Sequence, residues 1–445
     1  MSDIFFNPYP ARFVDPNEPG LLAAYTFADG ELAQWGKYIN RARTGAAYDL
    51  ATRVGTPLVG QGGGVYVAES QTSYFAATVP GSATQSRYTF DLELTSMPVA
   101  LNVPMAVHGT VAGGRTYLAY SDLGTGLVLC SLNDFATWSG TAFPVTGRGR
   151  ILYDVGYNGT HQQMWTNGIL ADSDAVVAVV PNGQFRIGNF GTMRAAKIKT
   201  GVNSGMDAAS IRASYIREFA RKVVYQWKPS AVGERSFATG NVGEGDFYCP
   251  VGGAGLSTVW RTNLSEPGGG HLALTGDGAP SMARLDFMHP RMPIFGSWLI
   301  EYEVRNPAWG GDSPIIGFTP MRGVDPTAAA SNSYWLNMYN NGGGWFRTSL
   351  YYENGAQIDG ADLFAASVLA NDRNKCLLSH DVDGSWQVYT YNSSIRAWGW
   401  TVATPVNVAS LSTNYLTIIP RGGYVTGVTR YQGSMTPHEL ETTLP

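Results

Sequence analysis

Charge is scarce in this 445-residue chain, where Asp, Glu, Lys and Arg together make up 14%. The 30 basic and 34 acidic residues leave a net charge of −4, and no Lys/Arg run exceeds a pair. Nucleic-acid binding draws its affinity from clustered cations on phosphates, so no nucleic-acid partner is expected. Cysteine is scarcer still. Cys130, Cys249 and Cys376 are odd in number and widely spread, which argues against a disulfide framework and a zinc cluster and leaves them as buried small hydrophobes. Long apolar runs are missing too: Ala175-Val-Val-Ala-Val-Val180 is strand-length, well short of the ~20 residues that cross a bilayer, so no membrane insertion is expected. The N-terminus shows no basic stretch followed by an apolar one, hence no visible signal peptide and an expectation of synthesis in the cytoplasm.

Glycine and aromatics are plentiful, at 54 residues and 12%. With so little charge, this composition suits many short strands joined by tight turns, and the length suffices for two substantial all-β cores. Met1 to Glu18 stands apart. Phe5, Phe6, Tyr9 and Phe13 alternate with Pro8, Pro10 and Pro16, so this arm is expected to be extended and unable to pair well inside a sheet. Two placements are open: across its own first domain, or docked on a neighbouring subunit.

The end of the chain joins a strand to a readable helix start. Val425 to Tyr431 reads as a strand, Thr436 as an N-cap, Pro437 as the first helical residue and Glu439 as the partner that closes a capping box. A similar order occurs earlier, with Ala195 to Thr200 as a strand and Asp207 as the N-cap of Ala208 to Ile211. Each is preceded by an aspartate-led strand that reaches a tight turn, Asp154 to Trp165 through Asn158-Gly159 and Asp381 to Tyr389 through Asp383-Gly384. The spacing from aspartate to cap is 53 positions in one and 55 in the other, which implies two copies of one architecture with equivalent hairpins.

Gly20 to Gly30 resembles the opening strand of laminin-G-like, concanavalin A-like domains. Gly427 to Leu440 is similar to their closing strand and helical cap, and Asp154 to Leu170, with Asn167-Gly168 as a further turn, resembles their central hairpin. The resemblance implies an all-β chain of two antiparallel jelly-roll sandwiches with short helices at the domain ends. It implies no single function, since that fold carries lectins, glycosidases and structural modules. The expected organisation is an arm over 1–18, a first sandwich over 19–229 and a second over 230–445, with the boundary near Lys228-Pro229-Ser230. Ile211, Tyr215 and Phe219 at helical spacing favour a helix from Asp207 to Arg221 followed by a strand from Val223 to Trp227, against one long alternating strand. Arg212, Arg217, Arg221 and Lys222 then form its solvated side.

Retaining glycosidases need two carboxyl groups about 5 Å apart, which on a strand usually means acids at i and i+2 or i+4. Asp91/Glu93, Glu301/Glu303 and Glu244/Asp246 have the first spacing, yet none has the third glutamate of the pattern that glycosidases of this fold carry. No hydrolase activity is expected. The six histidines show no short ligand spacing, and no Gly-x-Ser-x-Gly elbow occurs. Asp381-Val-Asp383-Gly384 reads as a hairpin turn, with calcium the weaker alternative because a cage needs 6–8 oxygens. No other cofactor is indicated.

What remains is aromatic surface. Trp335, Tyr339, Trp345, Trp386, Trp398 and Trp400 are interleaved with Asn341 and other amides in the second half. An apolar ring face beside donors and acceptors is what sugar binding needs, and Trp398-Gly-Trp400 places both indoles on one face of an extended strand. Sandwich core is the other use for such rings. The whole chain, tandem and all-β with an aromatic arm, is similar to bacteriophage virion proteins: head decoration proteins, head fibres and tail fibres. That resemblance implies a non-enzymatic structural protein on the virion. The arm contacts other virion proteins or further copies of the chain, and host surface polysaccharide is a candidate ligand. A free carbohydrate-binding module and a glycan-degrading enzyme are the competing classes.

Overall fold

The computed structural model describes residues 15–227, apart from 29, 56–57, 60–64, 67–73, 83, 95–102, 110–111, 123, 142–148 and 189–191. Beyond these it describes the strands between 247 and 419 and the run 424–442. The chain divides into two compact units, Met1–Phe219 and Ala220–Pro445. The expected boundary lay further on. Val223–Trp227 pairs with Tyr424–Tyr431 in the second unit, so it opens that unit and does not close the first. Arm residues Phe5, Phe6, Tyr9 and Phe13 lie outside the described residues, as do Lys228-Pro229-Ser230, Cys249 and the Asp381–Gly384 turn.

All pairings among the described strands are antiparallel, as expected of the fold class. In the first unit, one sheet runs Ile169–Ala175, His161–Thr166, Gly149–Tyr157, Ser86–Leu94, Thr192–Thr200, Val65–Tyr66, Leu58–Val59, with Leu21–Tyr25 beside Thr192–Thr200. The other runs Ser139–Thr141, Leu127–Ser131, Thr116–Asp122, Val103–His108, Gln184–Ile187, Tyr74–Thr78, Thr52–Val54. The sheets face each other across an aromatic core. Phe185 of the second sheet stacks on Tyr25, Tyr88 and Phe90 of the first at 6.4, 6.3 and 6.5 Å, contacts that add to about 1.5–3 kcal/mol for burying each such side chain. Two polar groups inside find partners across the core. The Tyr153 hydroxyl donates to the Leu118 carbonyl at 2.8 Å, and His108 sits between the Tyr88 hydroxyl and the Val79 carbonyl, each 2.7 Å away. Burial pushes the His108 ring down to about 4, so it stays neutral at ordinary pH.

The second unit repeats this strand order. Ala397–Val402, Trp386–Asn392, Arg373–His380, Gly296–Glu303, Tyr424–Tyr431, Gly270–Thr275, Ser257–Thr262 form one sheet, with Val223–Trp227 in the place of Leu21–Tyr25. Ala356–Asp359, Trp345–Tyr352, Tyr334–Asn340, Ile315–Thr319, Tyr415–Ile419 form the other. The hairpins of Asp154 and Asp381 therefore occupy equivalent places, but the two aspartates do not. Both central strands carry one bulge, between Met193 and Ala195 in the first unit and opposite Glu301/Tyr302 in the second. Matching these bulges sets Asp91 against Glu301, and it sets Asp154, opposite Thr89, against Leu377, opposite Leu299. Asp381 follows Leu377 by four residues in sequence and lies outside the described residues. The similar spacing to the helix caps arose from compensating loop lengths.

Both caps form as expected. Asp207 accepts from Ser210 N at the start of Ala208–Tyr215, which then continues through a wider turn, Ile216–Ala220. Thr436 and Glu439 close the box over Pro437–Glu441. The first helix covers the outer face of the first sheet, where Met206 and Ile211 bury Trp165. Polar residues trapped beneath it must pair. Arg87 Nε donates to Asp154 Oδ1 at 2.8 Å, Thr89 Oγ1 to the same oxygen at 2.5 Å, and Arg87 Nη1 reaches Gly205 O and Ser214 Oγ, both at 3.3 Å. Beside them Lys197 joins Glu18 and Glu218 at 3.0 and 2.7 Å, and Lys199 joins Glu18 at 3.0 Å. Burial alone would raise the Glu18 carboxyl, but the two lysines outweigh it and hold it down at about 2. The basic residues of 212–222 are more engaged than a solvated face: Arg212 donates to Asn167 O at 3.0 Å, Arg217 pairs with Glu218 at 2.7 Å and Arg221 donates to Glu439 O at 2.9 Å.

The second unit has Ser297 and Leu377 where the first has Arg87 and Asp154, so the fold itself does not require the ion pair. Asp154→Leu alone strands a buried guanidinium and is expected to cost about 3–5 kcal/mol. Adding Arg87→Ser should recover most of that loss, as read from urea unfolding of the full chain.

Candidate functional site: an aromatic platform on the first unit

The segment between Leu127–Ser131 and Ser139–Thr141 gathers aromatic rings on one surface. Phe135, Trp138, Tyr117 and Tyr120 form a continuous cluster. Phe135 lies on Tyr117 with centroids 4.0 Å apart, and Trp138 lies 5.3 Å from Phe135, 5.8 Å from Tyr117 and 5.3 Å from Tyr120. Tyr117 and Tyr120 are three apart and would face opposite sides of a regular strand. One extra residue between them relative to Leu127–Ser131 resets the alternation and brings both to Trp138. Tyr117 is buried by its neighbours, Tyr120 and Trp138 are half-buried, and Phe135 is 41% exposed.

The loop that carries Phe135 is locked from within and from behind. Asn133 Oδ1 accepts from Thr137 N at 2.9 Å, Ser131 Oγ accepts from Phe135 N at 3.0 Å, and Ala136 N donates to Asn133 O at 3.3 Å. From the opposite sheet the fully buried Gln162 accepts from Leu132 N at 3.0 Å and donates to Ser139 Oγ at 2.8 Å. Val179 N donates to Leu132 O at 2.9 Å. These bonds hold Asp134 and Phe135 at φ of 52° and 74°, in the left-handed region that a residue as bulky as Phe rarely enters. Strain of about 1–3 kcal/mol per such residue persists only where the surroundings over-determine it, and it clusters at binding sites.

Charge borders the rings. Arg115 Nε donates to Asp134 Oδ1 at 3.0 Å, and Gly113 N donates to Asp134 Oδ2. The guanidinium carbon stands 5.4 Å from the Phe135 centroid and 5.9 Å from Tyr117. Flat apolar faces beside fixed donors and acceptors are the elements of a sugar-binding surface. The loop is also an addition to the shared architecture. Seven residues separate the strands here, whereas three separate Trp345–Tyr352 from Ala356–Asp359 at the equivalent place in the second unit.

These residues were absent from the sequence expectations, which looked to the second unit. Trp335 and Tyr339 fall on Tyr334–Asn340, Trp345 on the strand after it, and Trp386 and Trp400 on adjacent strands, but their side chains lie outside the described residues, as does Asn341. Register sets Trp398 opposite Tyr391 and Trp400 opposite Tyr389. Trp398 is half-buried, 5.3 Å from Tyr391, and its indole N–H is taken by Glu441 at 2.9 Å, so it anchors the last helix. Of the paired acids, Asp91 is buried in a bidentate pair with Arg150, both bonds at 2.7 Å. The side chains of Glu93 and Glu303, and all of Glu244 and Asp246, lie outside the described residues. Among the described residues no group of three or more His, Cys, Asp and Glu side chains is placed to hold a metal, and no helix is long and apolar enough to cross a membrane. Cys130 and Cys376 are buried and unbridged.

No family model matches the chain, and no curated protein matches it in sequence. Solved structures resemble it at low identity. The binding domain of botulinum neurotoxin DC in complex with SialylT is 8% identical, covering 90% of this chain and 99% of that one, with a TM-score of 0.37. Domain 4 of AbnA, an extracellular GH43 arabinanase from Geobacillus stearothermophilus, in complex with arabinotriose, is 11% identical over 44% of this chain and 99% of that one, at 0.31. Domains LG4-5 of the mouse laminin alpha1 chain are 10% identical over 82% and 90%, at 0.23. Each is a likeness of fold. The concanavalin A-like sandwich architecture of this chain stands on its own strand order and register.

Gln162 is the joint between the platform loop and the opposite sheet. Gln162→Leu leaves Leu132 N–H and Ser139 Oγ without that partner inside the protein, at about 1–3 kcal/mol. A lower melting temperature with faster amide exchange confined to 132–138 is the expected result; unchanged exchange there would show that the loop holds itself.

Proposed function

We propose that this chain is a non-enzymatic structural protein of a bacteriophage virion, fastened through its N-terminal arm and binding a surface glycan of the host. The observation that carries the glycan part is the platform: a strained, locked loop that holds Phe135 in water beside Trp138, Tyr120 and an Arg–Asp pair. A loop of that length is not needed to close the hairpin, since the second unit closes the same hairpin with three residues. The reading is of a binder and not a hydrolase, supported by the commitment of both Asp91 oxygens to Arg150. Attachment through the arm is supported by its composition. Phe5, Phe6, Tyr9 and Phe13 are costly to leave in water at about 25 cal/mol per Å² of apolar surface, and the intervening prolines prevent a self-sufficient element.

Glu18 is tied to Lys197 and Lys199 on the outer face of the first sheet, while the platform belongs to the other sheet. Glu18 and the platform on different sheets support a reading in which one part of the unit is held by the particle and another is presented to a cell.

Two outcomes are expected. Phe135→Ala with Trp138→Ala should weaken binding to bacterial surface glycans by tenfold or more, since about 1.4 kcal/mol of lost contact is tenfold in affinity, with little change in melting. Calorimetric titration measures this, and a double variant that binds as tightly as the parent would move the site elsewhere. Separately, deleting residues 2–14 should leave both units folded yet abolish incorporation into particles or self-association, as followed by sedimentation. Normal assembly of the truncated chain would reduce the arm to a leader for the first strand.

A further inference from the structure

We infer that the platform's ligand is an acidic sugar, a pyranose that bears a carboxylate, seated with its ring on Phe135 and Trp138 and its carboxylate on Arg115. This rests on the glycan-binding reading above and adds the chemical class. The argument begins with the unequal exposure of the Arg115–Asp134 pair. The Asp134 side chain is 15% exposed and that of Arg115 32%, so the anion is the more sequestered partner and the cation the more presented one.

Asp134 is fixed twice, by Arg115 Nε on one oxygen and by Gly113 N on the other. It therefore acts as a positioner that sets the plane of the guanidinium. With Nε so used, the two terminal nitrogens of Arg115 carry no hydrogen bond among the described residues. They remain as parallel donors, the fork geometry that takes a carboxylate in two bonds at once. The guanidinium also lies over Phe135 and Tyr117, and this cation–π contact holds it beside the surface on which a sugar ring would stack. A neutral sugar would use the ring faces and leave the fork to water, whereas a carboxylate satisfies both. Within the pair the cation is thus the more exposed member, although the chain as a whole is acidic.

The test compares acidic capsular polysaccharides with the same polymers after carboxyl reduction, which turns each uronic acid into the neutral hexose and keeps ring and linkage. The full chain should bind at least one native polymer tenfold or more tightly than its reduced form, and the preference should shrink as salt rises. Arg115→Gln should erase the preference, so that the variant binds native and reduced polymers with equal affinity. Arg115→Lys, which keeps the charge and loses the fork, should retain only part of it. Melting curves of each variant check that the loop survives. Equal binding of native and reduced polymers would overturn the acidic-sugar inference and leave the glycan reading standing. Binding to neither set, nor to neutral surface glycans, by a folded protein would overturn both.

Discussion

The first unit depends on keeping charges paired on the outer face of its central strands. Arg87, Thr89, Asp154 and Lys197 sit on three adjacent strands beneath the helix Ala208–Tyr215, where the outer side of a sandwich would ordinarily meet water. Asp154 binds Arg87 and Thr89, and Arg87 reaches on to Gly205 and Ser214, so one guanidinium ties sheet register to the seat of the helix. A slip of one residue along Ser86–Leu94 would exchange the faces and drive Arg87 into the aromatic core around Phe185. Desolvating each ion costs several kcal/mol, which the pairing offsets only when every partner is in place. The network is therefore better understood as fixing one register than as adding stability. Its absence from the second unit, where Ser297, Ser379 and the backbone of Met435 bond instead, shows a neutral solution to the same packing problem.

Much of this was legible in the chain. Caps could be read because their chemistry is local: Asp207 and Thr436 need only the next three residues to show what they do. The repeat was legible through turn and cap order, and the strand-by-strand match follows. The alignment of Asp154 with Asp381 failed for a physical reason. Aspartate serves two unrelated purposes in such a hairpin, a buried counter-ion in mid-strand or a turn residue, and spacing alone does not separate them. Bulges do separate them, but a bulge is set by the partner strand and leaves little trace in sequence. The domain boundary moved for a similar reason, because Val223–Trp227 pairs with a strand two hundred residues away.

The platform escaped sequence analysis through the same blindness. Tyr117 and Tyr120 have the wrong spacing for one face of a strand, and only the extra residue makes them neighbours. Asp134 and Phe135 bear no glycine to announce positive φ. A weak signal existed in Asn133-Asp134, residues prone to turns, followed within four positions by two aromatics. Tryptophan density drew attention to the second unit, although Trp398 proves to spend its indole N–H on the final helix.

The platform runs against the stability of the unit that carries it. It adds four residues to a hairpin that the second unit closes without them. Phe135 adopts a backbone conformation that strains it by about 1–3 kcal/mol, and its partial exposure forgoes part of the about 1.5–3 kcal/mol that full burial would return. The hydrogen bonds from Ser131, Asn133 and Gln162 offset that strain and hold the loop in a single shape. A loop free to relax would hide Phe135 in the sheet, and its ordering would then oppose every binding event at about 1–2 kcal/mol per residue. Held as it is, the loop has met that entropy during folding, and a ligand meets rings and guanidinium already in place.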